Sequence, residues 1–185
     1  MKPKVITADD LYKFAAGLRN SGVTDEFLAM SEAQTLVRLF GRKNARMVLA
    51  GAADTENPES WIKILVAGED GGTFSGLKAI CSLVACITLI SQGRVQTGRV
   101  NAAHQPLNSK AITVRDNYEV IQSLAGMAEF QINELIEWLK IKTDANGDPS
   151  NTWGLQVQGT IRQVPYSVNS SGRIPAAWSW LGIGV

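Results

Sequence analysis

The stretch FSGLKAICSLVACITLISQ, residues 74–92, decides the fold. Its only charged residue is Lys78, near its beginning, and most of the other positions carry apolar or small side chains. A helix that is apolar on all sides is buried on all sides. We therefore expect residues 74–92 to form a central helix around which other helices pack. The weakly polar run 79–93 is shorter than the ~20 residues that a membrane span requires, so no membrane partner is expected.

Helix-start signals predict further helices before this segment. Thr7 stands where an N-cap residue belongs, with acidic residues following in the first turn. A second start is predicted at Thr24, and a third at Ser31, where residues 31–34 match a capping box. Gly41 ends the third helix and residues 42–53 form another. The apolar run 61–66 is compatible with a helix or a strand, because short runs lack a decisive period.

A long helix is predicted after the central one, from a capping box at Thr113 to about Lys142. Apolar residues recur along it at helical spacing and define the stripe that should face the core. That stripe consists of Tyr118, Ile121, Ala125, Ala128, Ile132, Leu135 and Leu139.

The composition changes after residue 142, where glycine, proline and tryptophan become frequent. Leu155, Val157 and Ile161 alternate with polar residues, which is the pattern of a half-buried strand. We therefore expect a mainly α protein, with a helical bundle body over residues 1–142. A β-rich or extended C-terminal arm over residues 143–185 should pack on that body or on a neighbouring subunit.

Overall composition excludes several classes of protein. The chain has 185 residues, which suits one domain, and its 45% hydrophobic and 19% charged residues exclude a disordered segment. The formal net charge of +1 excludes a strongly basic nucleic-acid binder as a description of the whole chain.

The charges are nevertheless segregated along the chain. Residues 33–53 and residues 71–115 contain basic residues and no acidic ones. If these windows converge on one groove, they can bind phosphates without reading sequence; otherwise they are ordinary solvated helix faces. Residues 93–100 contain two Gly-Arg-Val triplets. Their arginines either reach successive phosphates or are ordinary charges on a surface hairpin. The candidate nucleic-acid-binding residues are Arg38, Arg42, Lys43, Arg46, Arg94, Arg99, Lys110 and Arg115.

No sequence motif for catalysis is complete. Residues 71–78 fit the glycine spacing of a phosphate-binding loop, but Lys78 comes one position late and Ala79 replaces the hydroxyl that holds magnesium. Cys81 and Cys86 lie in the most apolar segment and should be buried thiols of a reducing compartment. A single histidine and two cysteines cannot form an ordinary zinc site. We expect no catalytic residue, no metal site and no cofactor, and hence a protein that is not an enzyme.

The C-terminal end is apolar and carries no charge after Arg173. Free termini are usually polar, so its large side chains should be buried on the body or on another copy. An arm that packs on an adjacent copy forms a heterologous interface, which propagates into rings or helical filaments. The candidate assembly residues are Trp178, Trp180, Leu181 and Ile183.

In overall organisation the chain resembles the coat proteins of rod-shaped and filamentous RNA viruses. The matching features are the opening segment from Asp10-Leu11 through Leu18 to Gly22-Val23, the arginine-bearing loop in mid-chain and the tryptophan-rich end. The resemblance implies a self-assembling subunit that packages single-stranded RNA without sequence preference, located in the virion and in the host cytoplasm. Two alternatives stay open: a nucleotide-binding enzyme using residues 71–78, and a helical scaffold or phage structural protein without nucleic acid.

Overall fold

The computed structural model describes residues 2–15, 23–53, 61–68, 71–91, 109–141, 155–163 and 178–182. Within these ranges the chain is mostly helical, which confirms the predicted mainly α class with a helical body. The elements are α1 (Ala8–Phe14), α2 (Asp25–Ala53), α3 (Trp61–Ala67), α4 (Gly76–Ser91), α5 (Ser109–Ile141), β1 (Gly159–Gln163) and β2 (Trp178–Gly182).

The centre of the fold is α4, as its sequence predicts. All of its residues are buried except Lys78, Thr88 and Ser91, and it contacts each of the other four helices. Burying one large aliphatic side chain contributes roughly 1.5–3 kcal/mol, so this helix is a main source of hydrophobic stabilisation. Although its surface is apolar, no helix in the described part of the chain is both long and apolar enough to cross a membrane.

A kink at Gly41 divides α2 into two segments, residues 25–40 and 42–53. Gly41 has φ 77° and ψ 166°, a backbone conformation that glycine adopts without the steric cost other residues incur. The predicted boundary at Gly41 is therefore correct. The predicted cap at Thr24 is also correct, because its hydroxyl accepts the Phe27 N–H at 3.2 Å.

The predicted helix start at Ser31 is wrong, because residues 31–34 lie within the first segment of α2. The carboxylate of Glu32 is used in a tertiary contact instead of a cap. It accepts the backbone N–H groups of Lys4, Val5 and Ile6 at 2.8, 2.9 and 3.2 Å. A buried acid is tolerable only when its oxygens are hydrogen-bonded, and these three donors also fix the first residues of the chain on α2.

A second buried acid, Asp10, joins α1 to α4. Thr7 is the N-cap residue of α1, as predicted, and its N–H and its hydroxyl both donate to one Asp10 carboxylate oxygen, at 2.9 and 2.7 Å. Lys13 and Lys78 each place their ammonium nitrogen 3.1 Å from an Asp10 oxygen. Burial by itself raises the pKa of Asp10, but the hydrogen bonds from Thr7, Lys13 and Lys78 outweigh it and lower that pKa to about 2.

The fold accordingly depends on pH through Asp10. Because its pKa falls from 3.8 to about 2 on folding, the stabilisation is complete above the unfolded value and is lost as the pH falls through the folded value. We expect the free-energy difference between the wild type and Asp10→Asn to shrink by about 2 kcal/mol between pH 5 and pH 2. Urea denaturation of both proteins measures this difference, and a difference independent of pH would contradict the assignment.

The predicted core stripe of α5 is confirmed: six of its seven residues are buried and Leu139 packs against the core. The helix begins at Ser109, so the predicted start at Thr113 is one turn too late. The run 61–66 lies in the helix α3, which settles the open choice between helix and strand.

The strands β1 and β2 form a two-stranded antiparallel sheet in which Ile161 faces Trp180 and Gly159 faces Gly182. The predicted alternation is present, since Leu155 and Ile161 are buried and Gln156 and Arg162 are exposed. The sheet packs on the helical body, with β1 contacting α2 and α5 and β2 contacting α5.

Candidate nucleic-acid groove

An open groove of about 970 Å³ lies between α2, the second half of α4 and the two-stranded sheet. Its α2 wall carries two arginines and several polar side chains, and its sheet wall includes Trp180. We call it the α2–β2 groove. The lining residues used below are Gln34, Val37, Arg38, Arg42, Val84, Thr88, Gln158, Gly159, Trp180, Leu181 and Gly182.

The kink in α2 joins this helix to the sheet. Carbonyl groups in the last turn of a helix lack helical partners, and that of Leu39 accepts the N–H of Gln158 at 2.6 Å. The next residue, Gly159, lies so close to the helix that a Cβ there would stand 2.6 Å from the Arg38 carbonyl oxygen. The absence of a side chain at Gly159 therefore allows β1 to sit directly on α2.

Two arginines flank the kink and supply the charge of the groove. Arg38 lies in the last turn before Gly41 and Arg42 directly follows it. They are the only charged residues among those described that line the groove. Within the described part of the chain, no carboxylate lies within 4.0 Å of either guanidinium. The α2–β2 groove is therefore electropositive, and both arginines are exposed to a ligand.

The other predicted nucleic-acid residues fall in three places. Lys43 and Arg46 are exposed on the second segment of α2 but do not line the groove. Arg94 and Arg99 lie outside the described residues, and Lys110 and Arg115 belong to α5 with side chains outside the description. Thr88, one turn before the end of α4, lines the groove.

The predicted assembly residues are placed only in part. Trp180 packs against the core of its own chain and also lines the groove, and Leu181 is 40% exposed beside it. The side chain of Trp178, which begins β2, and all of Ile183 lie outside the described residues.

Sequence reasoning missed that arginines, indole and amides share one groove. Residues 31, 34, 38 and 42 recur at helical spacing, so a polar stripe on α2 was readable from the sequence. The contribution of Gln158 and Trp180 could not be predicted from the sequence, because it depends on how a sheet distant in sequence packs on that helix.

In the glycine-rich loop at residues 71–78, the polar groups form hydrogen bonds and an ion pair with other parts of the fold. The Ser75 N–H donates to the Gln131 side chain at 2.8 Å, the Thr73 hydroxyl donates to Glu134, and Lys78 pairs with Asp10. The preceding segment is the helix α3, whereas a phosphate-binding loop follows a strand. These contacts occupy groups that a bound phosphate would require.

The two thiols of the central helix are free and buried. Cys81 and Cys86 are buried, and burial raises the pKa of the Cys81 thiol far above its usual range and that of Cys86 to about 12. A thiol with so high a pKa is not a nucleophile near neutral pH. Among the described residues, no three histidine, cysteine or acidic side chains come together as a metal site.

Comparisons of this chain with protein-family models, with curated proteins and with solved structures find no match.

The glycine pair of the sheet tests how β1 is seated on α2. Gly159→Ala places a methyl group against the Arg38 carbonyl, so we expect a loss of about 1–3 kcal/mol in the free energy of unfolding. Its register partner Gly182 has open space around it, so Gly182→Ala is the matched control and should change that free energy by less than about 1 kcal/mol. Urea denaturation measures both, and equal effects would show that β1 does not rest on α2.

Proposed function

We propose that this chain is a self-assembling structural subunit, of coat or nucleocapsid type, that packages single-stranded RNA through phosphate contacts without sequence preference. The observation that carries the proposal is the α2–β2 groove, in which Arg38 and Arg42 are the only charges among the described lining residues. A groove whose described lining carries two guanidinium groups and no carboxylate attracts a polyanion.

The side chains at the groove suit phosphate binding better than base reading. Guanidinium groups bind phosphate oxygens through paired hydrogen bonds, and such contacts fix a backbone without carrying sequence information. Gln34, Thr88 and Gln158 each hold groups that donate or accept hydrogen bonds, and so tolerate any base. The remaining predicted contacts, Lys43, Arg46, Arg94, Arg99, Lys110 and Arg115, would extend the path of the strand beyond the groove.

Self-assembly is the second part of the proposal. A net charge of +1 keeps electrostatic repulsion small when many copies pack side by side. Several large apolar side chains are more than one-third exposed, and burial against another copy would remove this surface from water. The candidates outside α3 and the α2 wall of the groove are Met30, Met127, Phe130 and Leu181. The proposed location is the virion and the host cytoplasm.

The salt dependence of RNA binding tests the phosphate contacts. For a single strand, the slope of log K against log salt falls by about 0.7 for every phosphate that the protein no longer neutralises. We expect Arg38→Gln with Arg42→Gln to weaken binding of a short oligouridine and to flatten the slope by about that amount for each arginine. Fluorescence anisotropy across a salt series gives both quantities.

The matched control removes two positive charges elsewhere. Lys63→Gln with Lys140→Gln alters α3 and α5 without touching the groove, and it should leave the slope unchanged. If both double variants lower the slope equally, binding follows net charge and the groove has no special role. A wild type that does not bind RNA would exclude the proposed function.

Assembly is tested at Leu181. This residue is exposed, and we expect Leu181→Ser to shorten or abolish the assemblies while leaving the circular dichroism spectrum of the helical body intact. Ile64→Ser is the matched control, because Ile64 is an aliphatic residue of similar exposure outside the predicted assembly set. Light scattering and electron microscopy measure the outcome. Full-length assemblies from Leu181→Ser would remove this residue from the interface.

A further inference from the structure

The α2–β2 groove has a second wall that phosphate binding leaves unexplained. Trp180 of β2, with Val37 of α2 and Val84 of α4, presents apolar surface to the same cavity that Arg38 and Arg42 enter. Val37 is more than one-third exposed. A groove that bound only a sugar-phosphate backbone would gain nothing from this surface, since phosphates are strongly hydrated.

The indole of Trp180 is held in place by its own fold. It faces the fully buried Ile161 across the sheet and packs against the core, while its remaining surface lines the groove. An aromatic ring that is already fixed loses little conformational entropy when a ligand stacks on it. Nucleic-acid bases stack on aromatic side chains whatever their sequence, because every base has a π-face.

We infer that the β2 side of the groove is a base-binding subsite, where unpaired bases lie against the ring of Trp180 while their phosphates contact Arg38 and Arg42. The inference rests on the proposed function and extends it from phosphate contacts to the bases. A volume of about 970 Å³ lies at the upper end of the ~300–1,000 Å³ that ligand pockets span, so the groove accommodates nucleotide-sized groups. In a duplex the bases are stacked inside, so the subsite selects single strands.

The two walls predict two separable effects on affinity. Removal of the ring in Trp180→Leu should weaken oligouridine binding by the same factor at every salt concentration, about 5- to 150-fold for each base stacked. The salt slope should stay that of the wild type, because every ionic interaction remains in place. Trp180→Phe keeps a smaller ring and should recover much of the affinity. By contrast, Arg38→Gln with Arg42→Gln should change the slope of log K against log salt.

A measurement on the wild-type protein tests the base-binding subsite even if Trp180→Leu does not fold. An abasic oligomer has the same ribose-phosphate backbone and charge as oligouridine but lacks the bases. We expect the abasic oligomer to bind the full-length wild-type protein more weakly than oligouridine, by the factor given for Trp180→Leu, and with the same salt slope. Duplex RNA should bind more weakly per phosphate than the single strand.

The outcomes separate this inference from the proposed function. Equal affinity for abasic oligomer and oligouridine would overturn the base subsite while leaving phosphate packaging intact. A folded Trp180→Leu protein with wild-type affinity, or duplex RNA that binds as tightly as single strands, would also overturn it. Absence of any salt-dependent RNA binding by the wild type would overturn both.

Discussion

The left-handed backbone at Gly41 is the constraint on which the groove depends. Were α2 one continuous helix, the carbonyl of Leu39 would be paired within it and could not accept the N–H of Gln158. The interruption frees that carbonyl, and the sheet docks there by a backbone hydrogen bond. Because the pairing joins segments far apart in sequence, its formation costs loop-closure entropy that the packing of the helical body must offset. Arg38 and Arg42 then stand on either side of the break, facing β2.

The helical body was predictable because its signals are local. The all-round apolar character of residues 74–92 indicated the buried α4, and the spacing from Tyr118 to Leu139 indicated the core face of α5. The mistaken helix start at Ser31 has a physical cause. A hydroxyl followed by acidic and amide residues resembles a cap, but the Glu32 carboxylate is taken by three N–H groups that precede α1. Local patterns cannot reveal a partner so distant in sequence.

The candidate site was predictable only in its charges. The acid-free window 33–53 identified Arg38 and Arg42, while Lys43 and Arg46 in the same window lie outside the cavity lining. Trp180 was expected to serve assembly because it lies near an apolar chain end, yet it packs on its own body and lines the groove. That position follows from the register of β1 with β2 and from the absence of a side chain at Gly159, neither of which has a periodic signal in the sequence.

The Glu32 carboxylate holds the beginning of the chain through main-chain atoms alone. Every residue type except proline offers the same N–H group, so the contact places little demand on the side chains at positions 4 to 6. The contact instead constrains Glu32 itself, because no other side chain combines its length with two carboxylate oxygens. The hydrogen bonds thus constrain only the main chain of the held segment, and what restricts its side chains is the burial of Val5 and Ile6 in the core. Position 4, which is not part of that core, should tolerate the widest range of side chains, whereas position 32 should tolerate the narrowest.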